Sequence, residues 1–174
     1  RFIFDLETTA LDPKDGRIFM FGMKDNRGFE KVIEAVDDES ERLGIIEFFE
    51  TIDKLKPTII GGYNSSNFDW NWIFERAEIL GLDIKEIAKT LNPNTPISIE
   101  DYNQIKIWGY NSIDVAHSVR RAQTINSDIK GWGLKYITEF IGAKKSNRIY
   151  LEGDKIASTY RENKEFYLNP ETGV

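Results

Sequence analysis

Asp5 and Glu7 stand two residues apart in the opening stretch RFIFDLETT, and Asp69 follows much later in NSSNFDWNWIFERA. Phe2, Phe4 and Leu6 take the alternate positions around the first two acids. An extended chain therefore puts Ile3, Asp5 and Glu7 together on the opposite face. Two carboxylates on one strand face repel, and burial raises the cost unless a positive charge sits between them. An isolated Asp-x-Glu is satisfied by a strand end that reaches solvent. Asp69 adds a third acid. It lies five positions after Asn64, where a short apolar strand gives way to a helical pattern. A loop leaving the sheet beside the first strand would carry it toward Asp5 and Glu7. Three acids around one cleft would bind two divalent cations. In two-metal phosphoryl-transfer enzymes such ions sit ~3.5–4 Å apart, one activating water and the other stabilising the leaving oxygen.

Composition narrows the donors. The chain has no cysteine and one histidine, His117, which excludes disulfides, thiolate sites and His-rich zinc centres. Any metal must be held by oxygen, which favours magnesium, manganese or calcium. The net charge of -6 argues against a protein that coats nucleic acid nonspecifically. It leaves room for a nuclease, whose carboxylates meet phosphate through cations. The 174 residues suit one domain that buries roughly 70% of its unfolded surface. No apolar run approaches the ~20 residues of a bilayer span, and no signal peptide is visible. The expectation is an intracellular protein, not secreted, with no membrane partner. The chain begins at Arg1 and closes on NPETGV, and reads as a piece of something longer.

These acids need elements to position them. RFIFDLE, RIFMFGMK and FEKVIEA read as three strands parted by the turn-rich DPKDG and DNRG, an antiparallel meander. DDESERLGIIEFFETIDKLKP switches to helical spacing, with Asp38 and Glu41 as a capping box and Pro57 after the end. TIIGGYN is a short strand stopped by glycines. FDWNWIFERAEILG is a helix with Trp70, Ile73, Ala77 and Leu80 on one face and Gly81 at its end. Leu91–Gly109 reads as irregular or a small hairpin. YNSIDVAHSV is a strand running into a helix that carries Arg120 and Arg121. GWGLKYITEFIG is a short helix with Leu134, Ile137 and Ile141 inward. The remainder to Val174 has little periodicity and reads as surface-hugging. The order suits a mixed α/β sheet with flanking helices.

FDLETT followed by GYNSSNFDWNWIFERA resembles the first two motifs, D-x-E and N-x-x-x-F-D, of the 3′–5′ exonuclease domain of family B DNA polymerases. That domain belongs to the wider DEDD exonuclease superfamily. SIDVAHSVRRA and GWGLKYITEFIGAKK resemble the segments that follow, so the likeness runs from Phe2 to about Lys155. The resemblance implies a ribonuclease H-like fold and a proofreading activity, hydrolysis of phosphodiesters at a single-stranded DNA 3′ end. It implies two Mg2+ or Mn2+ ions, and a polymerase domain in the same parent chain. By the same resemblance Asp5 and Glu7 hold the metals, with Asp5 shared between them, and Asp69 serves the second. Thr8 and Leu11 fall beside the 3′-terminal nucleotide, with Leu11 wedged against its base. Asn64 and Phe68 line the strand path, Phe68 as a stacking platform. Read without the family, Asn64 satisfies a turn, Phe68 staples its helix, Asp69 is a first-turn acid favoured by the helix dipole, and Trp70, Trp72 and Phe74 are core. Arg120, Arg121 and KKSNR are either phosphate contacts or solvated surface.

The superfamily's third motif supplies a fourth acid. His117 is followed five positions on by Ala122, so the histidine form H-x-x-x-x-D fails. Tyr110 and Asp114 in YNSID match the tyrosine form Y-x-x-x-D literally, but they precede GWGLKYITEFIG and open a strand, so Asp114 is read as structural. Tyr167 and Glu171 in YLNPE follow that landmark, but Pro170 opposes a helix there. The expectation is a third motif beyond Val174, which would leave residues 1–174 a weak or inactive exonuclease by themselves. Two alternatives share the fold: a free-standing DEDD exonuclease acting on RNA or DNA, and a noncatalytic nucleic-acid-binding or scaffold domain.

Overall fold

Alternating apolar residues build the sheet. The computed structural model describes residues 1–91, 97–100, 104–144, 151 and 153–168, with the side chains of 154 and 163–168 excepted. β1 (Phe2–Thr8) buries Phe2, Phe4 and Leu6 and turns Ile3 and Asp5 outward. β2 (Ile18–Asp25) and β3 (Glu30–Glu34) complete the antiparallel meander. α1 (Asp38–Leu55) then covers the inner face with Ile45, Phe48, Phe49 and Ile52. Its cap lies one residue earlier than the sequence suggests. Asp37 accepts the Ser40 amide, and the Ser40 hydroxyl in turn accepts the Asp37 amide. Glu41 is released for another task described below. At Gly44 a Cβ would come within 2.8 Å of the Phe21 ring, so glycine there lets α1 lie close on β2.

β4 (Ile59–Gly62) pairs parallel to β1, and α2 (Asp69–Ile79) returns with Trp70, Trp72, Ile73 and Ala77 buried and Leu80 half-buried behind it. Phe4, Phe48 and Trp70 meet edge to face, with ring centroids 4.9–5.7 Å apart, a geometry that adds to their area burial. α3 (Ile84–Ala88), a single short helix, follows. β5 (Ile97–Glu100) and β6 (Gln104–Ile107) form a separate antiparallel hairpin, within the stretch expected to be irregular or a hairpin. β7 (Asn111–Asp114) adds parallel to β4 and runs directly into α4 (Val115–Ile125). The sheet order is β3-β2-β1-β4-β7, a mixed α/β sheet with β1 at its centre.

Two expectations are corrected at the C-terminal end. α5 (Leu134–Phe140) buries only Ile137, while Leu134 and Ile141 are exposed. The segment expected to lack periodicity contains α6 (Gly153–Leu168). α6 packs on β1 and reaches the two neighbouring strands, where the Tyr160 ring lies 4.8 Å from that of Phe19 on β2 and its hydroxyl donates to Glu34 on β3 at 2.6 Å. Among the described residues no helix is long and apolar enough to cross a membrane.

Candidate active site

The site grows from a mismatch in strand lengths. β4 pairs with β1 only at Phe2 and Ile3, so beyond that point β1 runs on with its β4-facing edge open. A buried backbone N–H on such an edge needs a partner. The Leu6 amide finds one in Asp69, donating to Oδ1 at 2.9 Å. This bond brings the first residue of α2 against the segment that carries Asp5 and Glu7. On its other edge β1 pairs with β2, and the register shifts between Glu7 and Thr8. Bulges of this kind re-aim side chains next to functional sites.

The approach to Asp69 is held by backbone as much as by side chains. A Cβ at Gly62 would meet Ser65 at 2.5 Å, so glycine lets the loop turn tightly off β4. Asn64 takes a left-handed conformation, φ 61°, which asparagine tolerates better than most residues. Its carbonyl accepts the amides of Asn67 and Phe68. Asp114, at the end of β7, clamps the same loop. Its Oδ1 accepts the Asn64 and Ala116 amides and its Oδ2 the Ser66 amide, at 2.8–3.0 Å.

Electrostatics ties the three acids together. Asp69 is only 3% exposed. Burial first, and then the charge of Asp5, push its pKa up to about 7, against the opposing pull of the Leu6 amide. Glu7 is half-buried and moves the same way, by desolvation and then by Asp5. Asp5 therefore acts on both of its partners. The sequence puts the buried charge on β1, whereas Asp5 is exposed and the acid withdrawn from water is Asp69. Among the described residues no group of three or more His, Cys, Asp or Glu side chains is drawn tightly enough to hold a metal ion. One Asp69 oxygen is turned to the Leu6 amide. The chemistry of the donors fits hard divalent cations all the same, being all oxygen and all acidic. A cation would also relieve the repulsion that raises Glu7 and Asp69.

Beside the acids lies a cavity of about 360 Å³. Leu6 to Leu11 form one wall, Phe68 another, and Gly153, Ile156 and Ala157 of α6 close it. No pattern in the sequence signals the α6 wall. The Thr8 hydroxyl donates to the Ala10 carbonyl at 2.8 Å, and Leu11 is 91% exposed at the loop tip. Phe68 is half-buried, its ring 6.1 Å from Trp72. The structure thus gathers Glu7, Thr8, Leu11 and Phe68 on one cavity and couples Asp5, Glu7 and Asp69 by charge. Asn64 belongs to the supporting loop. Tyr110 is half-buried against the core, away from these groups, and Asp114 is the N-cap of α4. Tyr167 and Glu171 lie outside the described side chains. A further Tyr-x-x-x-Asp spacing, Tyr150 and Asp154, spans the start of α6, and both side chains also lie outside the described set.

A family model described as DNA polymerase family B, exonuclease domain matches residues 7–137. DNA polymerase 2 of Aeropyrum pernix is 26% identical over 154 residues, which cover 86% of this chain and 18% of that protein. The DNA polymerase of Pyrococcus glycovorans is 28% identical over 173 residues, 92% of this chain and 21% of that protein. The solved family B DNA polymerase of Pyrobaculum calidifontis shares the fold at TM-score 0.70 and 24% identity, covering 98% of this chain and 21% of that one. The chain spans about a fifth of the length of these relatives.

Proposed function

The chain belongs to the exonuclease-domain family of family B DNA polymerases, and from that premise we propose that it hydrolyses the terminal phosphodiester at a DNA 3′ end. Exonuclease domains of this family depend on metal ions in general. Asp5, Glu7 and Asp69 are the residues that would hold two Mg2+ or Mn2+ ions here. Such ions supply a water nucleophile of lowered pKa and charge for the leaving oxygen. The observation that carries the reading is the 2.9 Å bond from the Leu6 amide to Asp69 Oδ1, which seats the first acid of α2 against the strand that carries Asp5 and Glu7. Acids from β1 and α2 share one electrostatic site.

The chain's own residues do the positioning. The Leu6 amide fixes the orientation of the Asp69 carboxylate against β1. Phe68 offers a face to a terminal base, and such stacking is worth ~1–3 kcal/mol per base. Leu11, exposed at the loop tip, wedges against that base. Thr8, on the same cavity wall, contacts the terminal nucleotide, and the Asn64 loop borders the strand path. Only a frayed strand reaches the acids, so single-stranded 3′ ends are the favoured substrate. The DNA strand and a polymerase domain in the same parent chain are the proposed partners. The chain is read as one exonuclease domain whose third motif lies downstream of Val174.

The test is metal-linked stability. Mn2+ should raise the melting temperature of the chain, since a ligand that binds only the folded state stabilises it. Asp5→Ala should abolish that rise while leaving the metal-free protein folded. An Asp5→Ala protein that still responds fully to Mn2+ would sink the assignment.

A further inference from the structure

A second cavity, of about 300 Å³, opens between β6, β7 and the first turns of α4. α4 and its cap present Asp114, His117, Ser118 and Arg121 to it. That spacing of i, i+3, i+4 and i+7 places them on one helix face. Asp114 is the acidic group among the lining residues, and its oxygens are engaged elsewhere. They accept three backbone amides, with His117 Nε2 at 3.9 Å from Oδ2. The other polar groups all carry hydrogens to donate. Arg121 brings its guanidinium, which touches the Ser118 hydroxyl at 3.4 Å, and His117 its imidazole. Hydroxyls of Ser66 and Ser112 and the Gln104 amide complete the wall. A cavity whose polar groups other than Asp114 can all donate, with a guanidinium that can only donate at its rim, suits a ligand rich in acceptor oxygens.

We propose that this cavity binds the phosphate of a nucleotide or of a nucleic-acid strand. Arg121 and His117 are its main contacts, and Ser118 sits between them on the helix. Arg120 is excluded from the site, because its guanidinium lies 4.0 Å over the Trp132 ring. The site stands apart from the acidic cleft but borders the loop that leads to Asp69. Ser66 lines the cavity, and its amide is one of those held by Asp114.

His117 is the only histidine in the chain, so its ring signals in a 1H–13C NMR spectrum need no assignment strategy. The experiment titrates the 174-residue chain in EDTA, which keeps divalent cations from recruiting phosphate to Asp5, Glu7 and Asp69. Three probes are used: inorganic phosphate, deoxyadenosine 5′-monophosphate and a short single-stranded oligodeoxynucleotide. Saturable shifts of the His117 ring are expected. Arg121→Ala and Arg121→Gln should each weaken binding tenfold or more, while Arg120→Ala changes it less than twofold. Asp5→Ala should leave the titration unaltered, so failure of the nuclease reading would not be mistaken for failure here. If the mononucleotide binds as tightly as the oligonucleotide, the source is free nucleotide. If the oligonucleotide binds at least tenfold tighter, the source is the strand backbone. Silence of His117 toward all three probes, or equal losses in the Arg120 and Arg121 variants, overturns the proposal.

Discussion

A carboxylate held 3% exposed with a pKa near 7 is a strained residue, and its strain sets the pH behaviour of the metal-free protein. The folded-state value lies above the unfolded one, so between about pH 4 and 7 the folded state binds the extra proton. Stability should therefore fall as pH rises through that window, by an amount on the order of a few kcal/mol, with Glu7 adding in the same direction. Urea melts in EDTA from about pH 4 to 8 measure this, and a stability that rises across the range would contradict it. Asp5→Ala removes one source of the shift, so the decline should weaken and move to lower pH. Manganese should oppose the decline in the parent protein, and at a hundredfold excess over its Kd should add about 2.7 kcal/mol. Phe68 answers to a different ligand. Phe68→Ala should weaken binding of a single-stranded oligonucleotide by about 1–3 kcal/mol and leave the manganese response intact. Of these residues, Asp5, Glu7 and Asp69 are legible in the sequence as types and spacings, and Phe68 only through the family motif it resembles. The burial of Asp69 is not, because it follows from β4 stopping short of Leu6, a fact of strand pairing that no local pattern carries.

Elements with strong periods are legible in the sequence, and those without are hidden for physical reasons. Phe2, Phe4 and Leu6 alternate cleanly, and Trp70, Ile73 and Ala77 repeat at helical spacing, so β1 and α2 announce themselves. α3 is too short to show a period. Among the described side chains of α6 only Ala157 is buried, with Ile156 and Tyr160 partly covered, so the apolar stripe over 153–162 is thin and that stretch reads as a solvated loop. Beside the ring contact of Phe48 with Trp70, α1 and α2 share an ionic link that no pattern foretells. Arg76 reaches both Glu41 oxygens at 2.9 and 2.7 Å and the Pro13 carbonyl at 3.1 Å. Glu41 also accepts the Ile18 amide at 2.7 Å. Both side chains are buried, so the pair joins two helices to the middle of the loop that carries Leu11, at Pro13, and to the start of β2, at Ile18. Removing one partner leaves an uncompensated buried charge. Arg76→Met should therefore cost about 3–5 kcal/mol, and adding Glu41→Leu should recover much of it. Chemical denaturation of the two variants decides this. A double variant as unstable as Arg76→Met alone would show that the charges themselves, beyond their mutual neutralisation, hold the helices.

At the scale of the whole molecule, the cleft has a β-sheet floor, the α2 N-terminus on one side and α6 on another, with acids supplied from β1 and α2. Two metals need enough ligands to fix both, and three carboxylates leave part of the cleft to water. Asp69 also keeps one oxygen on Leu6. A loosely held ion is poorly placed for in-line attack, and ~1 Å of misplacement costs on the order of a hundredfold in rate. The 174-residue chain should therefore fold, bind manganese, and cleave a single-stranded 3′ end slowly. A longer chain that continues through a downstream helix bearing Tyr-x-x-x-Asp should cleave at least about a hundredfold faster under the same conditions. The comparison is single-turnover hydrolysis of a 3′-labelled oligonucleotide by the two chains, each also carrying Asp154→Asn. If the fourth acid is downstream, Asp154→Asn changes neither rate by more than a few fold. If the shorter chain is already fast and Asp154→Asn stops it, the fourth acid stands at the start of α6 and the downstream placement is wrong.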